Sequence, residues 1–431
     1  MIELKGRYNK DCKIFAEDIE ESAYSLIQNI LDEKATKDVP VRIMPDVHAG
    51  VGIVIGFTCP MTKFVNPDWI GVDIGCAVES HELSLSGDLN LELIDSQIRD
   101  VIPMGMKVRS KSILNEKEFI RELRRNISSF HSKYTVHSGI NYDIPTINEK
   151  WIESTLKRLN MEPSVFYNSI GTLGGGNHFI EMGRDLNDKY WLTIHSGSRN
   201  LGIKVWKYHT NQAKFQKDSK DPEYSVELDK IKNNTLDKSQ IPRLIDELKD
   251  RLEMGVNKKF LRGEYLFNYL VDMVFAQTYA EFNRESMKSE ICRRLKCQVI
   301  DSVKSIHNYI DMNDFIIRKG AIRSYEGERL VIPFSMKDGL IIGEGKSNED
   351  YNFSASHGAG RILARGKAKE SLTMDKFREE MKGIYSTSIV PETLDESPMA
   401  YKDPEIIEIL LEPTVKVTNR VKPILNIRSI D

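Results

Sequence analysis

Short glycine-rich blocks that carry a histidine recur along the whole chain, and they constrain its fold more than any other feature. They read MPDVHAG at 44–50, GGGNHF at 174–179, IHSGSRN at 194–200 and SASHGAGR at 354–361. β-type runs such as VGIVIGF adjoin them, as expected of strands joined by tight loops. Sites are commonly built on loops that a rigid scaffold holds. The blocks therefore predict one site assembled from distant segments.

The rest of the chain reads as a mixture of strands and helices. Residues 1–36 predict a short strand and an amphipathic helix, and apolar residues at 119, 120, 123, 127 and 130 form a helical stripe. The span at about 203–300 is charged and helical. No internal repeat or low-complexity linker divides the 431 residues. We therefore predict an α+β fold in which residues 1–431 form a single compact domain, with mixed β-sheets around a central cleft and a peripheral helical insertion at about 203–300.

Charge and cysteine content exclude several classes of protein. The chain has 61 Lys and Arg against 64 Asp and Glu, a net charge of −3. That balance argues against a basic coat for non-specific nucleic-acid binding, but it leaves room for a local basic cleft. The sequence shows no secretory leader and no apolar run long enough to cross a bilayer, and its five cysteines are scattered. We expect reduced thiols and a cytoplasmic protein with no membrane partner.

Several side chains beside Gly, Ser or Asn have the chemistry of metal ligands. They are Asp73 and Cys76 in GVDIGC and five histidines at strands or strand–loop junctions, His48, His178, His195, His307 and His357, and three of these histidines with Asp and Cys would suffice. One histidine alone in such a loop is more often a packed residue, but the group favours a site for one or two divalent ions. A thiolate can bridge two ions while a carboxylate and imidazoles complete each shell. Ligand chemistry alone would favour zinc.

The segment GTLGGGNHF at 171–179 has the composition of an anion-binding loop. Its glycines could turn backbone amides toward a phosphate, or they could simply form a tight turn between strands. Glu181 follows two residues later. Its carboxylate could accept hydrogen bonds from N1 and N2 of guanine, and the alternative is a solvated or helix-capping glutamate.

Basic residues could line a cleft beside these ligands. Arg361 and Arg365 would share one face if a helix begins near Gly358, and arginine forks match phosphate oxygens. Arg199 and Lys319 would add to this cleft. The alternative is that the two arginines lie on a solvated helix face.

His357 stands directly before a run of three small residues, Gly358, Ala359 and Gly360. One interpretation is packing, with the glycines forming a tight bend. The other is that the small residues admit a phosphate to the backbone and place the histidine to attack it.

Together these blocks resemble the RtcB family of GTP-dependent RNA ligases. The matching stretches are LKGRYN, RIMPDVHAGVGIVIGFT, GVDIGCAVES, GTLGGGNHFIE, IHSGSRNLG, IRKGAIRS, SASHGAGR and DESPMAYKD. They occur in the family's order and span nearly the whole chain. The ordered set is therefore far more specific than any single stretch.

The resemblance implies an enzyme that joins an RNA 3′-phosphate or 2′,3′-cyclic phosphate end to a 5′-hydroxyl end, in RNA repair or tRNA splicing. In the family, a histidine attacks the α-phosphorus of GTP and becomes guanylylated. The GMP then passes to the RNA 3′-phosphate, giving RNA-(3′)pp(5′)G, and the 5′-hydroxyl displaces it. His357 matches that histidine.

The resemblance also implies partners and residue roles. The cofactors would be GTP and two Mn²⁺ ions, manganese replacing the zinc that ligand chemistry favours, and an archease-like protein would be a candidate activator. One ion would be held by Asp73, Cys76 and His178, and the second by Cys76, His195 and His307. Nucleotide contacts would come from Asn177, Glu181, Ser335, His357, Gly358, Ala359, Gly360, Tyr401 and Arg428. RNA ends would contact Asp46, Arg199, Lys319, Arg361 and Arg365.

The chain departs from the family pattern at three places, one of which is that IPMGMKVRS lacks a histidine often seen after that loop. Ala77 and Val78 follow DIGC, where relatives usually carry Gly-Met. Arg428, in the tail VKPILNIRSID, stands where relatives carry a lysine near the nucleotide, and arginine keeps the charge but not the shape. Two other functions stay open on this basis: an RNA-end capping or binding protein with weak ligation, and a phosphohydrolase that opens cyclic phosphates.

Overall fold

The glycine-rich blocks lie at the ends of short strands. The computed structural model describes residues 1–216, 222–235, 237–252 and 259–430. The strands are β1 (Ile2–Leu4), β2 (Cys12–Ile14), β3 (Val41–His48), β4 (Ile55–Pro60), β5 (Ala77–Leu83), β6 (Phe179–Asp185), β7 (Tyr190–Ser196), β8 (Val299–Ile306), β9 (Asn308–Ile310), β10 (Ile316–Lys319), β11 (Ala321–Arg323), β12 (Arg329–Pro333), β13 (Leu340–Gly345), β14 (Ser354–Ser356) and β15 (Val415–Arg428).

Within the described ranges, these strands form three sheets. The largest has the order β12-β13-β15-β6-β7-β5-β8, and every pairing in it is antiparallel. The second has the order β1-β2-β3-β4-β10-β9, with β2 and β3 parallel. The third joins β11 to β14. Because β14 ends at Ser356, the third sheet fixes the position of the next residue, His357.

Helices cover the sheets and have clear sequence signals. They are α1 (Glu21–Leu31), α2 (Leu91–Val101), α3 (Glu116–Ser138), α4 (Glu149–Arg158), α5 (Pro163–Asn168), α6 (Arg199–Phe215), α7 (Pro222–Asn234), α8 (Ile241–Arg251), α9 (Gly263–Leu295), α10 (Arg365–Ser371), α11 (Met374–Glu380) and α12 (Pro404–Leu411). The Asn115 side chain caps α3, which ends at Gly139 with φ of 71°. Four of the five residues of its predicted stripe, including Phe119 and Phe130, are buried, and Ile120 is half-buried. Across the described ranges, no helix combines the length and apolarity that a bilayer crossing requires.

The helical span at about 203–300 has an outer part and a central part. α7 and α8 pack on each other through a small cluster of their own that includes Tyr224 and Leu248. By contrast, α9 buries residues along nearly its whole length and joins the largest apolar cluster. The last helix of this span is therefore a core element, because buried side chains occur along nearly its whole length. Residues 217–221, 236 and 253–258 of this span lie outside the described residues.

Candidate active site

Strand register brings the predicted metal ligands to one end of the largest sheet. β5 begins at Ala77, which lies opposite Ser196 of β7 and Ile306 of β8. β6 begins at Phe179, which lies opposite His195. His195 is one of these paired residues. Cys76 and His178 directly precede Ala77 and Phe179, and His307 directly follows Ile306. The same sheet end therefore holds Cys76, His178, His195 and His307.

Two overlapping groups of ligand atoms converge there. Asp73, Cys76 and His178 form one group, and Cys76, His195 and His307 form the other; within each group the atoms lie within 4.8 Å of one another. Cys76 Sγ is 3.2 Å from His195 Nε2 and 3.6 Å from His178 Nε2. His195 Nε2 is 3.3 Å from His307 Nε2. Cys76 is common to both groups, as the resemblance implies.

The donor set suits a divalent metal ion. His178 Nδ1 lies 3.0 Å from the Leu173 carbonyl oxygen, and donation there leaves the lone pair on Nε2 for a metal. Burial lowers the pKa of His195 and of His307 well below the ordinary value, so both imidazoles are neutral ligands. Burial would raise the pKa of Asp73, but its contacts with His178, Cys76 and His307 outweigh burial and lower that pKa to about 2, so its side chain is an anionic carboxylate.

Helix α9 holds the loops that carry these ligands. Asn283 Oδ1 accepts hydrogen bonds from the backbone N–H of Gly171, at 2.8 Å, and of Thr172. Arg284 donates to the carbonyl oxygens of Gly75 and Ser196, both at 3.0 Å. Sequence analysis did not select this pair. The sequence signal that could have identified them is two adjacent polar residues, Asn283 and Arg284, within a long helix rich in apolar residues.

His357 lies next to the candidate metal ligands, and a hydrogen bond to Asp46 fixes its ring. Its ring centroid is 4.9 Å from that of His307. Its Nδ1 is 2.6 Å from Asp46 Oδ2, and that oxygen also accepts the backbone N–H groups of His357 and Gly358. Asp46 is fully buried. Burial opposes its ionisation, yet the charge of His357 and its hydrogen bond keep the pKa of Asp46 below its usual value.

The small residues after His357 form a loop, so the predicted helix start near Gly358 is wrong. Helix α10 begins only at Arg365. Gly360 has φ of 75°, and a Cβ at this position would meet the backbone of Asp46. Glycine is thus required because the loop lies directly against β3. Arg361 belongs to this loop, so Arg361 and Arg365 do not share a helix face.

A cleft of about 500 Å³ opens beside His357. Predicted site residues that line it are Asn177, His195, His357, Gly358, Ala359, Gly360, Arg361, Arg365, Tyr401 and Arg428. Three others make contacts inside the protein. Lys319 is buried and donates to the carbonyl oxygens of Val51 and Asp68, and Ser335 donates to Asp338. Arg199 donates to Thr172 and to the Gly105 carbonyl.

Behind one wall of the cleft, strands β15 and β6 carry polar groups at alternate positions. In the β15–β6 pair, Asn426 lies opposite Glu181 and Arg428 lies opposite Phe179. Alternate strand residues face the same side of a sheet. The Arg428 guanidinium lies over the Phe179 ring, 5.3 Å from its centroid. Glu181 accepts a hydrogen bond of 2.8 Å from Asn426, and burial raises the pKa of Glu181 to about 8.

Comparisons with known proteins identify the family to which the chain belongs. The family model described as "tRNA-splicing ligase RtcB" matches residues 34–429. The protein named "RNA-splicing ligase RtcB" of Escherichia coli (strain K12) is 27% identical over 418 residues, covering 90% of each chain. The "tRNA-splicing ligase RtcB" of Nanoarchaeum equitans is 24% identical, covering 99% of this chain and 97% of its own. The resemblance found in the sequence is confirmed, and the chain belongs to the RtcB family.

Proposed function

We propose that this chain is an RNA ligase that joins 3′-phosphate or 2′,3′-cyclic phosphate ends to 5′-hydroxyl ends through a guanylylated His357. One observation carries the proposal: His357 is oriented by a buried Asp46 and lies beside a cluster of metal-ligand side chains. The names of the relatives support RNA joining, in RNA repair or tRNA splicing. In this proposal, residues 1–431 act as one ligase domain, and about 203–300 are an insertion within it.

His357 would act as the nucleophile. When Nδ1–H of the neutral ring donates a hydrogen bond to Asp46, Nε2 keeps its lone pair. That nitrogen attacks the α-phosphorus of GTP, a nitrogen–phosphorus bond forms, and pyrophosphate leaves. An oxygen of the RNA 3′-phosphate next displaces His357 from this phosphorus. The 5′-hydroxyl oxygen then attacks the RNA 3′-phosphorus, loses its proton, and GMP leaves. Water opens a 2′,3′-cyclic phosphate before these steps.

Two Mn²⁺ ions would be held by the two ligand groups that share Cys76. Bound there, they would supply positive charge against the phosphates. The guanine base would lie near Glu181, Tyr401 and Arg428, with the glycines after His357 near the phosphates. Roles for Asn177 and Ser335 toward the nucleotide, and for Arg199, Lys319, Arg361 and Arg365 toward RNA, belong to the same proposal. Because Asp46 is buried behind His357, we assign it to orienting His357 rather than to RNA contact.

A joining assay tests this function. The purified protein is incubated with GTP, Mn²⁺ and two RNA fragments, one ending in a 3′-phosphate and one beginning with a 5′-hydroxyl. We expect joined RNA that depends on GTP, and a cyclic phosphate end should also serve. Guanylylated RNA ends without joining would favour the capping alternative. Opening of cyclic phosphates without any use of GTP would favour the phosphohydrolase. A parallel reaction with an archease-like protein tests the proposed activator.

We also propose that the protein works in the cytoplasm. Its five cysteines are all unpaired in the structure. Free thiols are typical of a reducing compartment. Cell fractionation followed by immunodetection checks this location, and recovery of the protein only from an oxidising compartment would contradict it.

Replacing Asp46 by Asn is expected to slow guanylylation by about 10²–10⁴-fold, the usual range for loss of a positioned proton-accepting group. The amide retains the size of the side chain but loses the negative charge that holds the Nδ1 proton. The rate of label transfer from α-labelled GTP to the protein measures the effect. Asp350→Asn, which changes an exposed carboxylate on the outer surface, is the control. An unchanged rate in Asp46→Asn would remove Asp46 from the proposed chemistry.

GTP binding is expected to tighten as the pH rises from about 6.5 to about 8.5. Only the ionised carboxylate of Glu181 can accept both N1–H and N2–H of guanine, and with its pKa raised to about 8 most molecules are protonated at the lower pH. The dissociation constant of a non-cleavable GTP analogue should fall by about tenfold or more over this range. Titration calorimetry measures it. The same slope in Glu181→Gln would show that another group is responsible.

A further inference from the structure

One buried carboxylate links the nucleotide side of the cleft to its RNA side. Glu396 is only 2% exposed. Its Oε2 atom accepts from Arg428 Nη1 and from Tyr401 Oη, both at 2.6 Å. Its Oε1 atom lies 2.7 Å from Arg365 Nη1 and 3.3 Å from Arg361 Nη1. Each oxygen therefore serves one side: Oε2 contacts the proposed nucleotide residues, and Oε1 contacts the proposed RNA residues.

Positive charge exceeds negative charge in this cluster. The neighbouring carboxylate, Asp395, pairs with Arg365 at 2.7 Å and with Lys369 at 3.5 Å. Two carboxylates thus face three arginines and one lysine. Charged groups that are out of water need close partners. A bound phosphate would supply the missing negative charge, and the arginines of this cluster are the groups that would receive it.

The three arginines differ in their freedom to change partner. The Arg428 side chain is 5% exposed and the Arg361 side chain 12%, whereas that of Arg365 is 45% exposed. Arg361 is further fixed, because its Nε donates to the Leu363 carbonyl and its Nη2 donates to the Asp395 carbonyl. Arg365 is therefore the arginine that can turn from a carboxylate to an incoming phosphate at the least cost.

Building on the proposed function, we propose that Glu396 is a positioning residue that couples RNA-end binding to GTP binding. When the 3′-phosphate of RNA draws Arg365 away, Glu396 loses one of its competing cations. Its charge then acts more strongly on Arg428 and Tyr401, which become more firmly placed around the nucleotide. Coupling between two sites is reciprocal, so GTP tightens RNA-end binding by the same factor. Arg361 Nη1 also lies 3.4 Å from Tyr401 Oη, but only Glu396 among the groups of this cluster contacts both Arg365 and Arg428.

Calorimetry on the full-length wild-type protein tests this coupling. The probes are a GTP analogue with a methylene bridge between the α- and β-phosphates, and an RNA oligonucleotide phosphorylated at both ends, so that neither guanylylation nor joining occurs. Mn²⁺ is present throughout. We expect saturating RNA to lower the dissociation constant of the GTP analogue by about fivefold or more, within the usual range of coupling between sites. In Glu396→Gln, which keeps the shape but loses the charge, this ratio should fall to one.

A neighbouring variant provides the matched control. Asp395→Asn removes a carboxylate from the same cluster that contacts Arg365 but is not paired with Arg428, so the coupling ratio should be retained. If Glu396→Gln does not fold, Arg365→Gln should also bring the ratio to one. A wild-type ratio of one, or a ratio that survives in Glu396→Gln, overturns the inference. A wild type that joins RNA but shows no coupling overturns this inference alone, whereas one that binds neither probe overturns the proposed function as well.

Discussion

Replacing Cys76 by Ala is expected to lower the content of bound divalent metal from two ions per chain toward none. Cys76 Sγ belongs to both groups of ligand atoms, so one substitution removes a donor from each. A bridging thiolate also reduces the repulsion between two nearby cations, so neither remaining group replaces it. Protein loaded with Mn²⁺, dialysed and measured by elemental analysis gives the number of ions per chain.

A second buried cysteine makes the matched control for this measurement. Cys59 lies in β4, is fully buried, and belongs to neither ligand group. Cys59→Ala creates a comparable cavity in the core, costing about 1 kcal/mol or more in the free energy of unfolding, but it should leave the metal content unchanged. Equal metal contents for wild type and Cys76→Ala would contradict the bridging role of this thiol.

Replacing His357 by Ala is expected to reduce RNA joining by about 10⁴-fold or more. Removal of the group that forms the covalent intermediate is among the largest single effects in enzymes, because no other side chain occupies its position. The metal content should stay at the wild-type value, since His357 belongs to neither ligand group. Joined RNA is measured on denaturing gels over a time long enough to detect very slow reaction.

The control for this variant is a histidine outside the cleft. His131 lies on α3 and contacts the Tyr142 carbonyl. His131→Ala should join RNA at close to the wild-type rate. Joining by His357→Ala at a tenth of the wild-type rate or faster would show that the reaction does not pass through this imidazole.

The sequence allowed candidate ligands to be recognised because most of them stand at strand ends, and the resemblance implied their division into two groups. Cys76, His195 and His307 all adjoin strands whose β-type composition is clear, and the register of these strands then brings them together. The chemistry of each side chain was likewise visible in the sequence. The α+β class followed from the same alternation of short strands with helical stripes, and it is confirmed.

Other parts of the site depend on contacts between segments far apart in sequence. Asp46 and His357 are separated by 311 positions, so their hydrogen bond could not be derived from local pattern. A helix beginning near Gly358 was expected, with Arg361 and Arg365 on one face, but this segment is a loop shaped by its packing on β3. Glu396 was overlooked because its importance comes from the residues it meets, which only the folded chain reveals. Asn283 and Arg284 were likewise overlooked, because the sequence of α9 does not reveal which loops these side chains contact.

Intact-mass spectrometry after incubation with GTP and Mn²⁺ tests the central claim most directly, since it asks whether this imidazole forms a bond to phosphorus. Wild-type protein should gain the mass of one guanylyl group, peptide mapping should place that group on His357, and added RNA with a 3′-phosphate should remove it. A protein that gains no mass under these conditions, or that carries the group on another residue, would contradict the account.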